Sequence, residues 1–405
     1  MASKKLLSFL FLSVIAFNVH AQNTWQTKAP FPLGKRYSDV FGIGNYGYLL
    51  GGVDATNTEH NDLWRYDPVT NTWTQLAALS GVARNNGAAC VIGDVLYYGT
   101  GYTGSVFLKD WWKYDVTINT WIQKTNFPGA ARYTAMSATI QGKGYVGLGK
   151  AGPYYADWYE YDPGTDTWAT KTSYPGPARN NGVAFGLGDY GYVGLGAYNN
   201  SVPCSDFYRY DPGTDSWSAR SSYPDAGGVY AVGYFVIANR GFVIGGYDYV
   251  NLHTDAFEYN PATDLWTPIA SIANVSPGRI FRTGFSVAGK GYLVGGATAI
   301  ADPNAYRSDL IEYTSNYVGI DDPELNNEIS VSYSNDTRQL IITGTDIKSK
   351  SSVSVFDAQG KLVDQFSVES IGEKKFPLEV LSGVYFYHVK NENQLIAQGK
   401  FLVVK

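Results

Sequence analysis

The sequence predicts an all-β protein: a six-bladed β-propeller closed by its N-terminal strand, followed by a small C-terminal β-sandwich. Three observations predict this fold. Residue patterns repeat six times at intervals of 47 to 49 residues, glycine and tyrosine are abundant (45 and 33 of 405 residues), and the repeats stop before a C-terminal segment of different composition. Units of this length, built from short strands, are typical of propeller blades.

The first 21 residues have the layout of a secretory signal peptide. Lys4 and Lys5 precede an apolar run from Leu6 to Phe17, and small residues lead up to Ala21. The run is too short to cross a bilayer comfortably. We therefore expect residues 1–21 to be a signal peptide that is cleaved after Ala21, with no transmembrane segment left after its removal.

Four series of residues define the repeats. Three of them are a tryptophan, a tyrosine usually followed by Asp-Pro, and an aspartate that opens the tyrosine strand. The fourth is a glycine-rich strand end such as Gly51-Gly52. The first three series are Trp25, Trp73, Trp121, Trp168, Trp217 and Trp266; Tyr66, Tyr114, Tyr161, Tyr210, Tyr259 and Tyr313; and Asp62, Asp110, Asp157, Asp206, Asp255 and Asp309. Since one ligand cannot need six equivalent residues, we assign these series to the scaffold, with the aspartates as turn or capping residues.

Each unit divides into four short antiparallel strands. In the fourth unit these are 181–186, 192–196, 207–210 and a strand that carries Trp217, with turns rich in glycine, aspartate and proline between them. The sixth tyrosine strand has no tryptophan strand after it, whereas Trp25 precedes the first unit. We therefore expect the N-terminal strand to complete the sixth blade, which removes an open sheet edge.

These repeats resemble those of the kelch family, which combines a glycine doublet after the second strand with a tyrosine and a tryptophan at this spacing. The resemblance extends from Asn23 to about Tyr317 and implies a kelch propeller over residues 22–317. It also implies that the aromatic residues fill the space between blades. We expect Trp168→Ala to cost about 3–5 kcal/mol of stability because the tryptophan lies in that core.

The composition changes from Val318 onward. Asp321-Asp322-Pro323 and Asn326-Asn327 indicate a linker over 318–327, and alternating apolar runs then predict a small β-sandwich over 328–405. The segments 355–361, 381–386 and 399–405 resemble the C-terminal sorting domain of the type IX secretion system of Bacteroidetes. The resemblance implies handling by that machinery and export to the cell surface or the medium. The alternative is a sugar- or protein-binding sandwich.

Several classes of function are disfavoured by composition and motifs. The net charge of −5 provides no broad basic surface for nucleic acid. The sequence contains no Gly-x-Ser-x-Gly, no His-Glu-x-x-His and no phosphate-binding loop. We therefore expect no catalytic residue of a known motif, no metal and no cofactor.

A series of arginines supplies the candidate binding site. Arginines stand 11 residues after the first four tryptophans, the fifth unit has Gly228 and Val229 instead, and the sixth offers Arg279 or Arg282. Kelch geometry implies that these side chains ring one mouth of the central channel; the alternative is that they pack structurally and bind loop carbonyls. The predicted ligand-binding residues are Arg36, Arg84, Arg132, Arg179, Arg282, Tyr37, Asn85, Tyr133, Asn180 and Tyr230.

These residue types favour an anionic or polyhydroxylated ligand. Guanidinium groups pair with carboxylates, and aromatic faces stack on the apolar faces of sugars. The sequence therefore favours a secreted or surface binding protein that recognises a glycan or a protein at the mouth. The alternative is an enzyme acting on an acidic sugar, since exported kelch sialic acid mutarotases resemble this chain in blade number and channel arginines.

Overall fold

In a computed structural model, the chain divides into two compact units, Met1–Asn316 and Tyr317–Lys405. The structure describes residues 23–199, 202–225, 227–299, 302–315, 329–334, 337–344, 351–356, 362–368, 374–380, 383–391 and 394–403. The predicted signal peptide and the predicted linker over 318–327 lie outside these residues. Within them, helix is confined to two single turns, Ile272–Asn274 and Pro303–Ala305, which confirms the all-β prediction.

The first unit contains, in its described residues, six four-stranded antiparallel sheets, the blades. From the innermost strand outward, blade 1 contains Asp39–Ile43, Tyr46–Leu50, Leu63–Asp67 and Thr72–Gln75, and blade 2 contains Ala88–Ile92, Val95–Gly99, Trp111–Asp115 and Thr120–Lys124. Blade 3 contains Met136–Ile140, Lys143–Gly147, Trp158–Asp162 and Thr167–Lys171, and blade 4 contains Val183–Leu187, Tyr190–Gly194, Phe207–Asp211 and Ser216–Arg220. Blade 5 contains Gly233–Ile237, Arg240–Tyr247, Leu252–Asn260 and Leu265–Ile269, and blade 6 contains Thr283–Val287, Lys290–Val294, Leu310–Thr314 and Thr24–Lys28. Four two-residue strands lie in the connections: Lys35–Arg36 with Val53–Asp54, and Ala197–Tyr198 with Val202–Pro203.

The innermost strands surround a central channel. They neighbour one another in cyclic order from blade 1 to blade 6 and back to blade 1, and the channel has a volume of about 390 Å³. Neighbouring inner strands approach so closely that a Cβ on Gly186 would lie 2.1 Å from the carbonyl oxygen of Thr139. Glycine at this position is therefore a steric requirement of the ring.

The N-terminal strand supplies the outer strand of blade 6. Thr24–Lys28 pairs antiparallel with Leu310–Thr314, which places Trp25 opposite Tyr313. The Asn23 amide also donates to the carbonyl oxygen of Thr314 at 2.7 Å. The two ends of the repeat region are thus joined by the ordinary backbone pairing of one sheet.

A recurring pair of residues, which we call the inter-blade clasp, ties each blade to the one before it. In blade 3, Trp168 Nε1 donates to the Thr125 carbonyl at 2.9 Å, and Asp166 Oδ1 accepts from the Thr125 amide at 3.1 Å and from the Tyr161 hydroxyl at 2.7 Å. The clasp acceptors are Asn71, Asn119, Asp166, Asp215, Asp264 and, for blade 6, Asn23.

The clasp explains why asparagine or aspartate precedes each tryptophan by two residues. All six acceptors have left-handed backbone, with φ between 48° and 60°, a conformation that these two residue types tolerate better than most. The sixth clasp joins Asn23 and Trp25 to Ala270, with Trp25 Nε1 donating at 2.7 Å. The repeat therefore encodes a backbone conformation and an inter-blade contact at the same residue.

Burial differs between the two aromatic series. The tyrosines Tyr66, Tyr114, Tyr161, Tyr210 and Tyr259 are fully buried, whereas Trp168 is only half-buried. Its ring packs between blades as expected, with centroids 5.2 Å from Trp111 and 4.9 Å from Tyr161. Because the side chain is partly exposed, we expect the cost of Trp168→Ala to lie at the lower end of about 3–5 kcal/mol.

The second unit contains two small sheets in its described part. The strands are Ile329–Ser334, Gln339–Gly344 and Lys374–Pro377 in one sheet, and Ser351–Phe356, Leu362–Val368, Gly383–Asn391 and Gln394–Val403 in the other. Leu340 and Ile342 of the first sheet share one core with Val353, Val355 and Val389 of the second. Two sheets packed on a common apolar core form a β-sandwich.

Candidate functional site

The chain enters each innermost strand through one equivalent residue, and together these residues form what we call the mouth ring. Each member makes a backbone bridge to the residue that follows the glycine-rich strand end, as Tyr133 does to Lys150. The next residue has positive φ in every unit. The mouth ring is Arg36, Asn85, Tyr133, Asn180, Tyr230 and Ile280.

The mouth ring borders a cavity of about 490 Å³, within the size range of small-molecule sites. Its walls combine two cations, one carboxylate, five asparagines and seven aromatic rings. They are Arg36, Lys150 and Glu59; Asn57, Asn85, Asn86, Asn180 and Asn181; Tyr37, Tyr102, Tyr133, Tyr154, Tyr230, Tyr249 and Phe281; and Val53 and Thr134. Six of the ten predicted site residues therefore line one cavity: Arg36, Tyr37, Asn85, Tyr133, Asn180 and Tyr230.

Arg36 is the arginine of this cavity. Its guanidinium lies 4.7 Å from the ring centroid of Tyr37 and 4.5 Å from that of Tyr306. Burial raises the pKa of Tyr37 to about 12, so this phenol stays neutral beside the cation at physiological pH. The two rings hold the guanidinium at the wall of the mouth.

Aromatic side chains are stacked on two other parts of the wall. On one, Tyr133 packs on Phe107 with centroids 5.4 Å apart and an interplanar angle of 16°. On another, Tyr230 stacks on Tyr249 at 4.5 Å. Lys150 lies over the Tyr154 ring at 5.0 Å. Flat rings with hydroxyl edges, flanked by amides, match the alternating apolar and polar faces of a sugar.

Three of the predicted site arginines do not line this cavity. Arg84, Arg132 and Arg179 are fully buried, and each forms a two-pronged ion pair with the aspartate that opens the third strand of its own blade. Arg84, for example, donates to Asp110 Oδ1 and Oδ2 at 2.5 and 2.6 Å and to the Thr100 carbonyl at 3.0 Å. The prediction that these arginines face a ligand is therefore wrong: all three are parts of the scaffold.

The same ion pairs correct the role of the repeated aspartates. Asp110, Asp157 and Asp206 are partners of buried arginines rather than turn or capping residues. Burial opposes ionisation of Asp110, but the Arg84 guanidinium outweighs it and holds the pKa of that carboxyl below its usual value. The carboxylate therefore stays charged where the buried guanidinium requires it.

The length of one connection explains the error. The residue that pairs with the aspartate is Lys35 in blade 1, where it contacts Asp62 at 2.6 Å. Lys35 follows Trp25 by ten residues, whereas Arg84 follows Trp73 by eleven. Counting eleven residues in the first unit therefore reaches Arg36, which is one position further along and belongs to the mouth ring.

Arg282 also departs from the prediction. It lies in the channel wall, is 2% exposed, and donates to Asp309 Oδ2 at 2.6 Å. Arg279 pairs with the other oxygen of the same carboxylate. Burial lowers the pKa of Arg282 to about 10, so it remains a cation. Arg282 forms an ion pair with Asp309 and therefore belongs to the scaffold of blade 6.

The channel below the mouth contains one carboxylate among its described wall residues, Asp39. Its Oδ2 accepts from the Tyr98 hydroxyl at 2.8 Å and from the Gly87 amide at 2.9 Å. Burial raises the pKa of Asp39 to about 7, against those two hydrogen bonds, which lower it. Tyr37 and Asn86 line both the channel and the mouth, so the two cavities are neighbours.

Sequence reasoning missed several residues of the mouth, chiefly Lys150, Glu59 and Phe281. Lys150 follows Gly147 and Gly149 directly, at the position that bridges to the mouth ring. That position was recognisable as the residue after each glycine-rich strand end. Glu59 and Phe281 come from connections of irregular length, for which the repeat provides no signal.

The residues that the structure describes contain no group of three or more His, Cys, Asp or Glu side chains placed to hold a metal ion. No helix among them is long and apolar enough to span a membrane.

Two families match the chain. Residues 10–178 match the KLHDC2/KLHL20/DRC7 Kelch-repeats domain, and residues 327–405 match the secretion system C-terminal sorting domain. The solved structure of YjhT has a TM-score of 0.60 over 72% of this chain and 98% of that one, at 15% identity. This likeness concerns the fold alone.

Curated relatives match a short part of the chain. Kelch domain-containing protein 3 of Homo sapiens, like that of Bos taurus, is 34% identical over 74 residues, which are 17% of this chain and 19% of the relative. N-acetylneuraminate epimerase of Pasteurella multocida is 33% identical over 79 residues, 18% of this chain and 21% of the enzyme. The matched part is thus about a fifth of each relative.

Together, the matching families, the repeated blades and the sandwich tail confirm the resemblance to kelch repeats and to the C-terminal sorting domain. The tail indicates export to the cell surface or the medium. The chain thus contains Kelch repeats, matched over residues 10–178, within a six-bladed propeller, and a secretion system C-terminal sorting domain over residues 327–405.

Proposed function

We propose that this exported propeller binds a glycan at the channel mouth. The observation that carries the proposal is the composition of one cavity: the Arg36 cation, stacked tyrosines and a ring of asparagine amides. Asparagines and tyrosine hydroxyls provide hydrogen bonds to sugar hydroxyls, and ring faces cover the apolar sugar faces. Arg36 and Lys150 favour a glycan that carries a carboxylate.

The arrangement of the mouth supports binding more than turnover. The stacked pairs and the cation–π contacts restrict the wall side chains before any ligand arrives, which lowers the entropy lost on binding. Among the described residues that line the mouth, Glu59 is the only one with a carboxylate. A rigid ring with variable side chains is a general way to place a recognition site.

A glycan array with the purified full chain tests this proposal. We expect retention on one class of glycan, weakened about tenfold or more by Tyr133→Ala because a stacking platform is lost. Tyr190→Ala is the matched control, since Tyr190 stacks on Arg209 at 4.2 Å and does not line the mouth. A silent array, or equal losses in both variants, would contradict the proposal; capture of a protein instead would favour a protein ligand.

A second candidate is an enzyme that interconverts forms of an acidic sugar. The similarity to N-acetylneuraminate epimerase favours it, as does Asp39, whose pKa near 7 suits proton transfer at neutral pH. Proton NMR of N-acetylneuraminate with the protein would show accelerated anomer exchange, which Asp39→Asn abolishes. An exchange rate equal to that without protein would rule this candidate out.

A further inference from the structure

Among the residues that the structure describes, blade 5 has no lysine or arginine paired with the aspartate that opens its third strand, whereas the five other blades each have at least one. We call the space occupied by this cation, beside the aspartate that opens the third strand, the cation slot. It holds Lys35 in blade 1, Arg84, Arg132 and Arg179 in blades 2 to 4, and Arg279 with Arg282 in blade 6. In blade 5 the residue equivalent to these cations is Val229.

Backbone hydrogen bonds show that Val229 is the equivalent residue. The Val229 amide donates to the Cys204 carbonyl, and the Val229 carbonyl accepts from Gly196 at 2.9 Å. Arg179 makes the same two bonds one blade earlier, from its amide to Tyr155 and from Gly149 to its carbonyl. At this residue the backbone therefore makes the same hydrogen bonds in both blades, with valine in blade 5 in place of arginine.

The carboxylate of the slot is retained. Asp255 stands where Asp110, Asp157 and Asp206 stand in blades 2 to 4, eleven residues before the tryptophan. It is exposed and has no ion-pair partner among the described residues. A carboxylate that is neutralised in the five other blades thus faces outward here.

The aromatic platform of the slot is retained as well. In blades 3 and 4 the guanidinium lies 4.9 Å from the ring centroids of Phe127 and Tyr174. The equivalent residue, six positions after the tryptophan, is Tyr223 in blade 5, and it is buried. Among the described residues, no guanidinium stacks on this ring in blade 5, in contrast to blades 3 and 4.

Blade 5 also adds a second acid. Asp225 occupies the position of Gly129 and Gly176, where an added Cβ would lie 2.8 Å from an arginine Nη2 atom. The space left by the missing side chain is a cavity of about 240 Å³, lined by Tyr223, Pro224, Asp225, Val229, His253, Asp255 and Phe257. This is smaller than the roughly 300–1,000 Å³ of drug-sized sites and is suited to a single side chain.

We propose that the blade 5 cation slot binds a guanidinium group from outside the chain, presented by the arginine side chain of a peptide. Asp255 accepts its paired N–H groups, Tyr223 stacks on its plane, and Asp225 provides a second carboxylate. The internal template favours guanidinium, because in blades 2 to 4 one arginine pairs with both oxygens of the aspartate, in two of them beside an aromatic ring, and a planar fork matches a carboxylate. This site is independent of the mouth.

The test uses the full chain and N-acetyl-L-arginine amide as the probe, with binding followed by ligand-detected NMR. The neutral isostere N-acetyl-L-citrulline amide and the ammonium analogue N-acetyl-L-lysine amide are the comparison probes. We expect the arginine probe to bind at least about tenfold more tightly than the citrulline probe, since the charge-assisted pair is lost in citrulline. Equal binding of these two probes, or no binding of the arginine probe at millimolar concentration, would overturn the proposal.

Two variants locate the site. Val229→Arg is expected to fill the slot with the chain's own guanidinium, raising the melting temperature and abolishing probe binding. Asp255→Asn is expected to weaken binding about tenfold without unfolding the protein, because its side chain is exposed. Asp189→Asn, an exposed turn residue, and Tyr133→Ala are expected to bind the probe as the parent does. Parental affinity in both Val229→Arg and Asp255→Asn would overturn the proposal, whatever the mouth binds.

Discussion

At the scale of single residues, the buried arginines are stable in the scaffold because each charge meets an aspartate. Arg132 is fully buried, and its partner Asp157 retains a side-chain exposure of 27%. Two guanidinium nitrogens bond the two carboxylate oxygens, and the Leu148 carbonyl accepts a further bond at 2.9 Å. Removing the acid would leave a desolvated cation without its counter-charge.

We predict that Asp157→Ala lowers the free energy of unfolding by about 3 kcal/mol, the lower end for breaking a buried pair since the acid is partly exposed. Urea denaturation of the purified protein measures it. Asp255→Ala is the matched control from the blade without a cation, and it should change stability by less than about 0.5 kcal/mol. Equal effects of the two substitutions would contradict the assignment of the ion pair.

Residue identity alone did not separate the scaffold arginines from the site arginine. The nature of the ring, aromatic and amide-rich, was predictable from Tyr37, Asn85 and Asn180, which follow the arginines in sequence. Arg36 and Arg84 look equivalent by spacing, yet one faces the mouth and the other is buried. The difference lies in one residue of connection length, which only the backbone path reveals.

At the scale of the element, the strand and its clasp determine how blades join. The third strand of blade 4 was predicted as 207–210 and is Phe207–Asp211, whereas the second was predicted as 192–196 and is Tyr190–Gly194. The third strand has clear limits because a Pro-containing turn ends it. The second ends at Gly194 because the next two residues, Leu195 and Gly196, adopt positive φ, with values of 55° and 84°.

The tail shows the same limit on prediction. Five strands of the second unit were visible as apolar alternation, but Ile329–Ser334 and Lys374–Pro377 were not predicted. Both pair with the Gln339–Gly344 strand, and both are rich in Ser, Lys or Pro. Ile329–Ser334 alternates apolar residues with serine, a strand signal that the prediction overlooked. Lys374–Pro377 has no such alternation, and its place in the sheet comes from its partner strand.

We predict that Asp166→Ala destabilises the propeller by about 2–3 kcal/mol. The substitution removes two hydrogen bonds, each with a net value of about 1 kcal/mol, and puts alanine at a left-handed backbone position, which costs about 1 kcal/mol more. Thermal or urea unfolding measures the loss. Asp166→Asn keeps the acceptor, as Asn71 and Asn119 do in blades 1 and 2, and should be nearly neutral; a loss as large as that of alanine would argue against the clasp.

At the scale of the whole molecule, the ring depends on a strand that lies nearly 300 residues from its partner. Thr24–Lys28 completes blade 6, and Trp25 is 8% exposed between blades 5 and 6. Its ring lies 4.9 Å from Tyr313 and 6.3 Å from Phe235. The start of the repeat region is therefore part of the last blade.

We predict that deletion of residues 22–30 lowers the stability of the propeller by at least about 3 kcal/mol, because a buried tryptophan and a full strand pairing are lost. Differential scanning calorimetry of the truncated and parent proteins measures it. Trp25→Phe retains the strand and should lose much less. A truncated protein that melts like the parent would show that the strand does not close the ring.

The central claim at this scale is that the ligand site is the mouth around Arg36 and not the arginines buried within the blades. The most direct measurement is isothermal titration of the best glycan from the array against parent, Arg36→Ala and Arg179→Lys. Lysine already fills the equivalent slot in blade 1 as Lys35, so Arg179→Lys preserves the ion pair. We predict at least about a tenfold loss of affinity for Arg36→Ala and parental affinity for Arg179→Lys. Parental affinity of Arg36→Ala together with a loss in Arg179→Lys would contradict the claim.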